Sequence, residues 1–392
     1  MWVELLHKNS LLSIVEKVDF LFYNLSYEPR KKSFRFQRGK EIFKIMKYFI
    51  ITYGCQMNKS NSERIATLME KKGYKPASNP EGADLVLINM CSVRQGAVDR
   101  VYGRVASLKG KKIILTGCIL KEDREKFTKK AEIVDFKDLF KAKPKRVYRE
   151  GFVPVMDGCD NSCTYCVVPF TRGREKYRKK KDILEEVKKL VKRGNKEITL
   201  LGQSISSYPS FPELLREIND LKGNFKISFL TSHPKDFSDE LIKVIKESKR
   251  IKKYIYLPVQ SGDNEILRRM NRKYTREDYL TIIKKLRKEI PNVQISTDVI
   301  VGFPGETKKQ FENTVDLFEK VKFNNAYIAC FSARPGTPAA RLKDNVPLKE
   351  KEKRAVILRT LLRKNLDFRS AQIKKIFKEP CFAPLSGTSQ EP

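Results

Sequence analysis

The sequence predicts an α/β fold in which a small parallel-sheet domain precedes a partial (βα)6 barrel. Three observations predict it. Short apolar runs alternate with amphipathic helical patterns from Met46 onward, which is typical of parallel sheets covered by helices. A Lys/Arg-rich connection at residues 141–149 separates three such strand runs from six more. With 392 residues, 40% of them hydrophobic, the chain has room for two or three domains of roughly 100–200 residues each.

The first domain is predicted to contain three parallel strands and two helices. The strands are expected at residues 47–54, 83–90 and 111–117, and the helices at residues 61–72 and 93–108. In a parallel α/β sheet the carboxyl ends of the strands lie at one edge, which is where such folds bind their ligands. Residues that follow these strands are therefore candidates for a functional site.

The second domain is predicted to be an open barrel, because six βα units fall short of the eight that close a complete one. Thr275 and Asp278 have the spacing of a capping box at the start of its fourth helix. Its strands are expected at residues 152–156, 197–201, 226–230, 254–258, 293–301 and 326–331. Its helices are expected at residues 182–193, 212–221, 239–247, 276–289, 308–321 and 349–365.

These patterns divide the chain into four segments. Residues 1–45 match no motif and are expected to form an N-terminal extension, with Met46 as an alternative start of translation. Residues 46–144 and 145–366 are the two α/β domains. Residues 367–392 are expected to form an unstructured tail.

The charge balance favours a polyanionic partner. Lys and Arg number 81 against 47 Asp and Glu, which gives a net charge of +34. Neutralising phosphates with such side chains releases condensed counterions and so favours binding to nucleic acid. A basic surface that is simply solvated is the alternative that composition leaves open.

The sequence carries no sign of export or membrane insertion. No apolar run approaches the roughly 18 residues that cross a bilayer, and the apolar stretch at residues 11–25 is interrupted by Glu16, Lys17 and Asp19. We therefore expect a cytoplasmic protein without membrane association. In that reducing compartment its eight cysteines are expected to serve metal binding or catalysis rather than disulfides.

Three cysteines form a C-x3-C-x2-C run directly after the first strand of the second domain, namely Cys159, Cys163 and Cys166. Three thiolates on one loop can bind three irons of a 4Fe–4S cluster and leave the fourth iron open. An open iron can chelate the amino and carboxylate groups of S-adenosylmethionine (SAM). A structural zinc site is disfavoured, because it needs a fourth ligand and the chain has only two histidines, His7 and His233.

Three more cysteines, Cys55, Cys91 and Cys118, each follow a predicted strand of the first domain. Because those strand ends share one edge, we expect the three thiols to converge and again to leave one iron of a cluster open. Such an iron could hold a sulfur donor. Buried structural cysteines, which are common, are the alternative. The remaining Cys330 and Cys381 match no cluster position.

The order of these motifs resembles the radical SAM methylthiotransferase family. The C-x3-C-x2-C run, with Tyr165 before its last cysteine, is similar to the radical SAM superfamily. Four further stretches resemble the branch that acts on isopentenylated adenosine in tRNA. They are CVVPFTRG at residues 166–173, TSHP at 231–234, LPVQSG at 257–262 and RPGTPAA at 334–340, whereas YGCQMN at residues 53–58 belongs to the order that resembles the family as a whole.

The resemblance implies a transferase that adds a methylthio group to carbon 2 of N(6)-isopentenyladenosine next to the anticodon of tRNA. It implies SAM and two 4Fe–4S clusters as cofactors, and an electron donor such as a flavodoxin or ferredoxin. The tRNA would be bound at its anticodon stem-loop, and we expect a monomer. The implied ligands are Cys159, Cys163 and Cys166 for the catalytic cluster that binds SAM, and Cys55, Cys91 and Cys118 for the auxiliary cluster.

Other residues at the ends of barrel strands are expected to bind SAM. Gly202 and Gln203 follow the second strand, where radical SAM proteins commonly place a group that binds the SAM amine. Gln260 follows the fourth strand, and Asp298 and Gly302 lie at the end of the fifth. Strand ends and glycine turns suit close approach to a ligand, with ordinary barrel turns as the alternative. With Tyr165, these residues complete the predicted cofactor-binding set.

Two predictions concern the binding of RNA. Arg172, Arg174 and Lys176 follow the cysteine run and are candidates for contacts with tRNA phosphates, a solvated basic face being the alternative. Family members carry a C-terminal TRAM-type β-barrel that helps to bind RNA. Residues 375–392 resemble no such module, so we expect that domain to be missing.

Three other functions are alternatives to this interpretation. The sister enzyme that modifies threonylcarbamoyladenosine in tRNA is disfavoured by the QMN stretch at residues 56–58 and the RPG stretch at 334–336. The QMN stretch also disfavours the enzyme that methylthiolates an aspartate of a ribosomal protein. A metal-stabilised RNA-binding module without catalytic activity is the third. Metal content distinguishes it, since about eight irons per chain indicates the enzyme and zinc indicates the module.

Overall fold

A computed structural model describes residues 46–135, 139, 142, 144 and 150–367. The predicted N-terminal extension, Cys381 and the tail beyond residue 367 lie outside the described residues, as does most of the Lys/Arg-rich connection. No helix in the described part of the chain is both long enough and apolar enough to span a membrane.

The first domain contains five strands and three helices. The strands are β1 (Lys47–Thr52), β2 (Lys75–Pro76), β3 (Leu85–Cys91), β4 (Lys112–Cys118) and β5 (Glu132–Ile133). The helices are α1 (Gln56–Lys71), α2 (Gln95–Ser107) and α3 (Lys121–Phe127). The three predicted strands are confirmed. The two-residue strands β2 and β5 and the helix α3 were not predicted, because they are too short to show a hydrophobic period.

The five strands are parallel and lie in the order β2-β1-β3-β4-β5. Helices cover both faces, so β3 is buried along nearly its whole length and reads as a continuous apolar run. The helix α2 packs on this sheet through Val98, Val101 and Val105, which recur at helical spacing. This strand order changes direction between β1 and β3, which opens a crevice at the carboxyl ends of those two strands.

The second domain is a parallel sheet of six strands with helices on its outer face. The main strands are β6 (Glu150–Pro154), β9 (Glu197–Leu201), β10 (Lys226–Phe229), β11 (Tyr254–Tyr256), β12 (Gln294–Val301) and β13 (Asn325–Cys330). Two further short strands, β7 (Met156–Asp157) and β8 (Lys176–Tyr177), form an antiparallel pair. The helices are α4 (Val168–Arg172), α5 (Lys180–Lys192), α6 (Phe211–Asn219), α7 (Asp239–Glu247), α8 (Asn264–Arg269), α9 (Arg276–Glu289), α10 (Lys308–Val321) and α11 (Leu348–Asp367).

The six main strands follow one another around an open barrel. The strands β6, β9 and β10 form one parallel set, and β11, β12 and β13 form another. The sets are joined where Ile227 of β10 pairs with Ile251, just before β11. The Ile227 amide donates to the Arg250 carbonyl at 2.9 Å, and the Lys252 amide donates to the Ile227 carbonyl at 2.8 Å. The predicted partial barrel is therefore confirmed.

Local sequence signals explain where several barrel helices begin. The capping box predicted for Thr275 and Asp278 is present at the start of α9. A second capping box, formed by Thr307 and Gln310, starts α10. Each box satisfies amide groups that have no partner in the first helical turn.

The two domains meet through apolar contacts and buried ion pairs. Met57 of α1 packs against Phe152 of β6. Nearby, Arg64 of α1 pairs with Glu186 of α5, whose second oxygen is 2.7 Å from the Arg178 guanidinium. A separate contact joins Arg334, which follows β13, to Asp123 of α3 at 2.9 Å, and both side chains are almost fully buried. These contacts bring the carboxyl edge of the first sheet next to the barrel.

Candidate active site

Cys159, Cys163 and Cys166, called here the loop cysteines, lie between β7 and α4. Cys159 and Cys163 are buried and Cys166 is half-buried. The Cys159 amide donates to the Gly173 carbonyl at 3.1 Å, so the loop closes on the end of α4. Gly158 has a φ of +80°, and a Cβ there would lie 2.1 Å from the Arg174 carbonyl oxygen. Only glycine permits this close turn into the loop.

Each loop cysteine has at least one N–H donor within reach of its sulfur. Such donors are typical of the sulfurs that ligate iron–sulfur clusters, since they stabilise thiolate charge. The pairs are Asn161 Nδ2 with Cys159 Sγ at 3.5 Å, Arg272 Nη1 with Cys163 Sγ at 3.5 Å, and the Val168 amide with Cys166 Sγ at 3.4 Å.

Burial disfavours the ionised form of two of these thiols, those of Cys159 and Cys166, in the absence of metal. Loss of hydration raises the pKa of Cys159 and raises the pKa of Cys166 to about 12. Thiolates are the metal ligands, so iron binding must displace protons from these two groups. Tyr165, between them, packs against Phe303 and Phe331 in a small apolar cluster that borders the loop.

Gln203 carries a buried acceptor without a protein partner. Its Oε1 is inaccessible to solvent and receives no hydrogen bond from the described residues. A buried acceptor normally has a donor, so this oxygen fits the amine of a bound ligand. The neighbouring Gly202 is fully packed: a Cβ there would lie 2.6 Å from Met156 Cγ.

Asp298 and two tyrosines form a polar group on one face of β11, β12 and β13. The Tyr256 hydroxyl donates to Asp298 Oδ2, and burial raises the pKa of Asp298. Tyr327, paired with Asp298 in the ladder, is 53% exposed, whereas the adjacent Ile328 packs into the core beneath the helices. Because side chains alternate along a strand, Tyr327 and Asp298 face the inside of the partial barrel.

Gln260 and Gly302 lie at strand ends, as predicted, but their contacts differ. Gln260 is buried with a φ of +70°, a conformation that costs energy for a residue other than glycine and is common at functional sites. The Gly302 amide donates to Glu306 Oε2 at 2.6 Å, and a Cβ there would lie 2.3 Å from Lys351 Cγ. Gly302 thus serves packing against α11, and its role in SAM binding stays a prediction.

Cys55, Cys91 and Cys118, called here the edge cysteines, converge as the sequence predicted. Cys91 and Cys118 are paired residues at the ends of β3 and β4, so their side chains are neighbours. The interaction between the two thiols raises the pKa of Cys118 and lowers the pKa of Cys91. Cys55 precedes α1, and its Sγ lies 3.5 Å from Asn58 Oδ1, which is 3.9 Å from Cys118 Sγ. The three thiols flank the crevice between β1 and β3.

Arg172 connects the two groups of cysteines. Its Nε donates to Cys118 Sγ at 3.0 Å, its Nη1 to Asp157 Oδ1 at 2.7 Å and its Nη2 to Asn58 Oδ1 at 3.4 Å. Asp157 lies two residues before Cys159 in the chain. A single side chain therefore spans from an edge cysteine to the start of the loop that carries the loop cysteines.

The prediction that Arg172 contacts tRNA phosphates is wrong. Its side chain is only 8% exposed and its donors are directed at Cys118, Asp157 and Asn58, so it has no free face for RNA. Arg174 is 87% exposed and Lys176 is also exposed. For these two residues the phosphate contact stays a prediction.

Sequence reasoning missed two further residues beside the cysteines. Asn58 is fully buried and is held by bonds from its Nδ2 to the Met90 carbonyl and to Asn89. Its position inside the YGCQMN stretch was the available signal. Arg272, which reaches Cys163 from 109 residues away, gave no signal, because nothing local in the sequence marks that contact.

Each group of cysteines supplies three thiols, which is the number that binds three irons of a 4Fe–4S cluster and leaves the fourth iron open. Among the described residues, no three His, Cys, Asp or Glu side chains meet closely enough to hold one ion. A cubane does not require such closeness, because each iron takes one protein thiolate and the thiolates stand apart at its corners. The N–H donors to the three loop cysteines and to Cys118 suit the charge of a cluster.

Two family models match the chain. Residues 153–318 match the radical SAM superfamily, and residues 47–137 match uncharacterized protein family UPF0004. A tRNA-2-methylthio-N(6)-dimethylallyladenosine synthase of Clostridium novyi is 40% identical over 388 residues, covering 85% of this chain and 86% of that relative. A synthase of the same name from Thermoanaerobacter pseudethanolicus is 42% identical, covering 79% and 75%. The chain belongs to the tRNA-2-methylthio-N(6)-dimethylallyladenosine synthase family.

Solved structures agree with this fold. The radical SAM methyltransferase TsrM of Kitasatospora setae superposes with a TM-score of 0.58 at 13% identity, covering 75% of this chain and 77% of that one. At this identity the likeness concerns the fold alone. Membership in the synthase family confirms the predicted family, fold class and transferase class, and the three competing functions are not favoured.

Proposed function

We propose that the protein is a radical SAM methylthiotransferase that adds a methylthio group to carbon 2 of N(6)-isopentenyladenosine next to the anticodon of tRNA. The observation that carries the proposal is the link from Cys118 through Arg172 to Asp157. It joins a candidate sulfur-donor site to a candidate radical site. Replacing a C–H bond by a C–S bond requires both sites to act on the same carbon atom.

The loop cysteines would hold the 4Fe–4S cluster that binds SAM, and the edge cysteines would hold an auxiliary 4Fe–4S cluster. With SAM bound, these groups would supply reductive cleavage of SAM to a 5′-deoxyadenosyl radical, hydrogen abstraction from the adenosine, and a sulfur, methylated by a second SAM, for the resulting carbon radical. The protein contributes thiolate ligands, orientation and exclusion of water. The count of two clusters is supported by two separate triads of cysteines, with an N–H donor to each loop cysteine and the Arg172 donor to Cys118.

Residues inside the partial barrel would orient SAM. Gln203 Oε1, which lacks a protein donor, can accept a hydrogen bond from the SAM amine. Asp298, held by the Tyr256 hydroxyl, can accept from a ribose hydroxyl or an amine. Tyr327 provides an exposed ring beside Asp298 against which a base can lie.

The tRNA would approach the exposed side of α4, which lies between the two triads. RNA loops are commonly bound with bases splayed out and stacked on aromatic side chains or arginine planes. Phe170 is 57% exposed on α4, and Arg174 is 87% exposed just after it. We also propose that the protein is a cytoplasmic monomer that receives electrons from a flavodoxin or ferredoxin.

The substrate is tested by mass spectrometry of tRNA nucleosides from a strain that lacks the gene. We expect the strain to accumulate N(6)-isopentenyladenosine and to lose its methylthio derivative, which the intact gene should restore. Accumulation of threonylcarbamoyladenosine, or no change in any nucleoside, would contradict the proposed substrate.

The assignment of the loop cysteines is tested by replacing Cys163 with alanine. The variant should form no detectable 5′-deoxyadenosine from SAM under strong reductant, because two thiolates cannot hold the cluster that binds SAM. Cys330→Ala is the matched control, since Cys330 is half-buried and lies outside both triads. It should cleave SAM like the wild type. Continued SAM cleavage by Cys163→Ala would show the assignment to be wrong.

The edge cysteines are tested separately by Cys91→Ala. This variant should still cleave SAM but should yield no methylthiolated nucleoside, because the sulfur-donor site is incomplete. Its iron content should fall from about eight to about four per chain. If Cys91→Ala kept the full iron content and product formation, the edge cysteines would not hold a cluster.

A further inference from the structure

We propose that Arg172 is a positioning residue for the auxiliary cluster, raising its reduction potential through a hydrogen bond to the Cys118 sulfur. The inference rests on the proposed function, in which the edge cysteines bind that cluster. It assigns a role to a side chain that neither the cysteine motifs nor the SAM-binding residues include.

The geometry around Arg172 fixes its guanidinium against the Cys118 sulfur. Arg172 directs all three of its nitrogens at fixed partners: Nε at Cys118 Sγ (3.0 Å), Nη1 at Asp157 Oδ1 (2.7 Å) and Nη2 at Asn58 Oδ1 (3.4 Å). Asn58 is itself immobilised by bonds to the end of β3. A planar guanidinium bound on three sides cannot rotate away from the sulfur. The N–H···S contact is therefore built into the fold.

The guanidinium of Arg172 places a positive charge beside the Cys118 sulfur. The Arg172 side chain is 8% exposed, so water screens its positive charge only weakly. Adding one electron makes a cluster more negative, and a cation bonded to a ligand sulfur stabilises that reduced form most. The step is a one-electron reduction by an external donor, with no bond made or broken and no proton moved. The guanidinium therefore shifts the potential upward.

Arg172 is also connected to the loop cysteines. Asp157 anchors Arg172 from the strand that leads into the loop, and the Cys159 amide bonds to Gly173, the residue after Arg172. The segment from Asp157 to Gly173 is thus closed at both ends around the loop cysteines. A shift of this loop would move the guanidinium relative to Cys118, which couples the two sites mechanically.

The test is a redox titration of the reconstituted full-length protein, monitored by electron paramagnetic resonance. The signal that added SAM leaves unchanged belongs to the auxiliary cluster. Replacing Arg172 by methionine should make that cluster harder to reduce by at least a factor of ten in its equilibrium constant, about 59 mV for one electron. Arg174→Met is the matched control: it removes the same charge two residues away, where the guanidinium is 87% exposed and bonded to Asp160.

A lysine variant separates hydrogen bonding from charge. Arg172→Lys keeps the positive charge, but one nitrogen cannot bond Cys118, Asp157 and Asn58 together. We expect its auxiliary potential to lie between those of the wild type and Arg172→Met. If Arg172→Met fails to bind the second cluster, a lowered potential in Arg172→Lys still supports the proposal. The proposal is overturned if an Arg172 variant that retains the auxiliary cluster has the same reduction potential for it as Arg174→Met.

The experiment also separates this inference from the proposed function. If the wild-type protein bound about four irons and gave only a SAM-sensitive signal, it would hold no auxiliary cluster, and the proposed function itself would be contradicted. About eight irons, with a potential that does not respond to residue 172, would leave the proposed function intact and refute the role of Arg172.

Discussion

Arg272 shows how a single side chain can hold a cluster ligand in place. Its Nη1 donates to Cys163 Sγ, its Nη2 to the Pro258 carbonyl at 2.9 Å and its Nε to the Tyr274 hydroxyl at 2.8 Å. Every edge of the guanidinium is bound, so its orientation toward the sulfur is fixed. Each group of cysteines thus has one buried arginine, and each arginine comes from outside the run of residues that it orders.

His233 lies beside Arg272 and should make stability depend on pH. Burial, with the charges of Arg272 and Lys235 nearby, lowers the pKa of His233 to about 2. The pKa of histidine in the unfolded chain is about 6.5. Below that pH the folded protein therefore binds fewer protons than the unfolded chain. Stability from this group is complete above pH 6.5 and falls as the pH drops, by about 2 kcal/mol between pH 6.5 and 5.0.

The measurement is the thermal midpoint at pH 7.0 and 5.0 for the wild type and for His233→Asn, at one scan rate. The asparagine variant should lose less stability on acidification than the wild type, because it has no imidazole to protonate. Equal losses in the two proteins would show that His233 is protonated freely in the fold.

At the residue scale, the sequence predicted the site residues that have a regular spacing or position, and it missed the contacts between residues that are distant in the chain. The loop cysteines share one short loop and the edge cysteines share positions after strands, so both sets could be predicted. The sequence singled out Arg172 but predicted that it contacts tRNA phosphates at the surface. Its burial could not be predicted, because it depends on contacts with Cys118 and Asn58 of the other domain. Arg272 carries no local signal at all.

At the scale of elements, the end of β4 is built around a glycine. Gly117 precedes Cys118, has a φ of +106° and lies where a Cβ would be 2.3 Å from the Met90 carbonyl oxygen. The close approach lets β3 and β4 stay paired up to Cys91 and Cys118. The register of the two cysteines therefore depends on the lack of a side chain at this position.

Replacing Gly117 by alanine should separate the ends of β3 and β4. The positive φ and the steric clash together should cost about 2–5 kcal/mol of unfolding free energy. Iron content should fall toward about four per chain as the edge cysteines lose their spacing. Both quantities are measured by chemical denaturation and iron assay.

Gly110→Ala is the control for backbone strain alone. Gly110 precedes β4 with a φ of +76°, and a Cβ there meets nothing within 4 Å. This variant should lose only about 1–2 kcal/mol and keep about eight irons. If the two glycine variants lost the same unfolding free energy and the same amount of iron, the close contact with Met90 would contribute to neither.

The sequence predicted the elements well where hydrophobic periods were long. All six main strands of the barrel and their helices lie within a few residues of the expected positions, because each buries an apolar face of regular period. The helix α1 begins at Gln56, five residues before the expected start, because its first turn is polar. The short helices α4 and α8 were missed for the same reason as β2 and β5: they have too few residues for a pattern.

At the scale of the whole molecule, two buried ionic contacts fix the first domain against the barrel. Arg64 and Glu186 join α1 to α5, and Arg334 joins the segment after β13 to Asp123 of α3. The side chains of Arg334 and Asp123 are 4% and 1% exposed. Buried pairs of this kind add little stability over apolar packing but are costly to break, which favours one relative orientation of the domains.

Replacing Arg334 by alanine should therefore weaken the alignment of the two cysteine groups. Asp123 would remain buried with only its longer contact to the exposed Lys126 at 3.6 Å, at a cost of about 3–5 kcal/mol in unfolding free energy. The loop cysteines lie within the barrel, so SAM cleavage should persist, while methylthio transfer should fall by a larger factor. The ratio of methylthiolated nucleoside to 5′-deoxyadenosine measures this uncoupling.

Arg216→Ala provides the matched control, because Arg216 pairs with Glu240 on the barrel surface, where the side chains are 42% and 59% exposed. Its loss should cost less than about 1 kcal/mol and leave the product ratio unchanged. A double variant with leucine at positions 123 and 334 should recover much of the stability, since apolar residues can replace a buried pair. If Arg334→Ala lowered SAM cleavage and methylthio transfer equally, the ion pair would support the fold in general and would not set the alignment of the two sites.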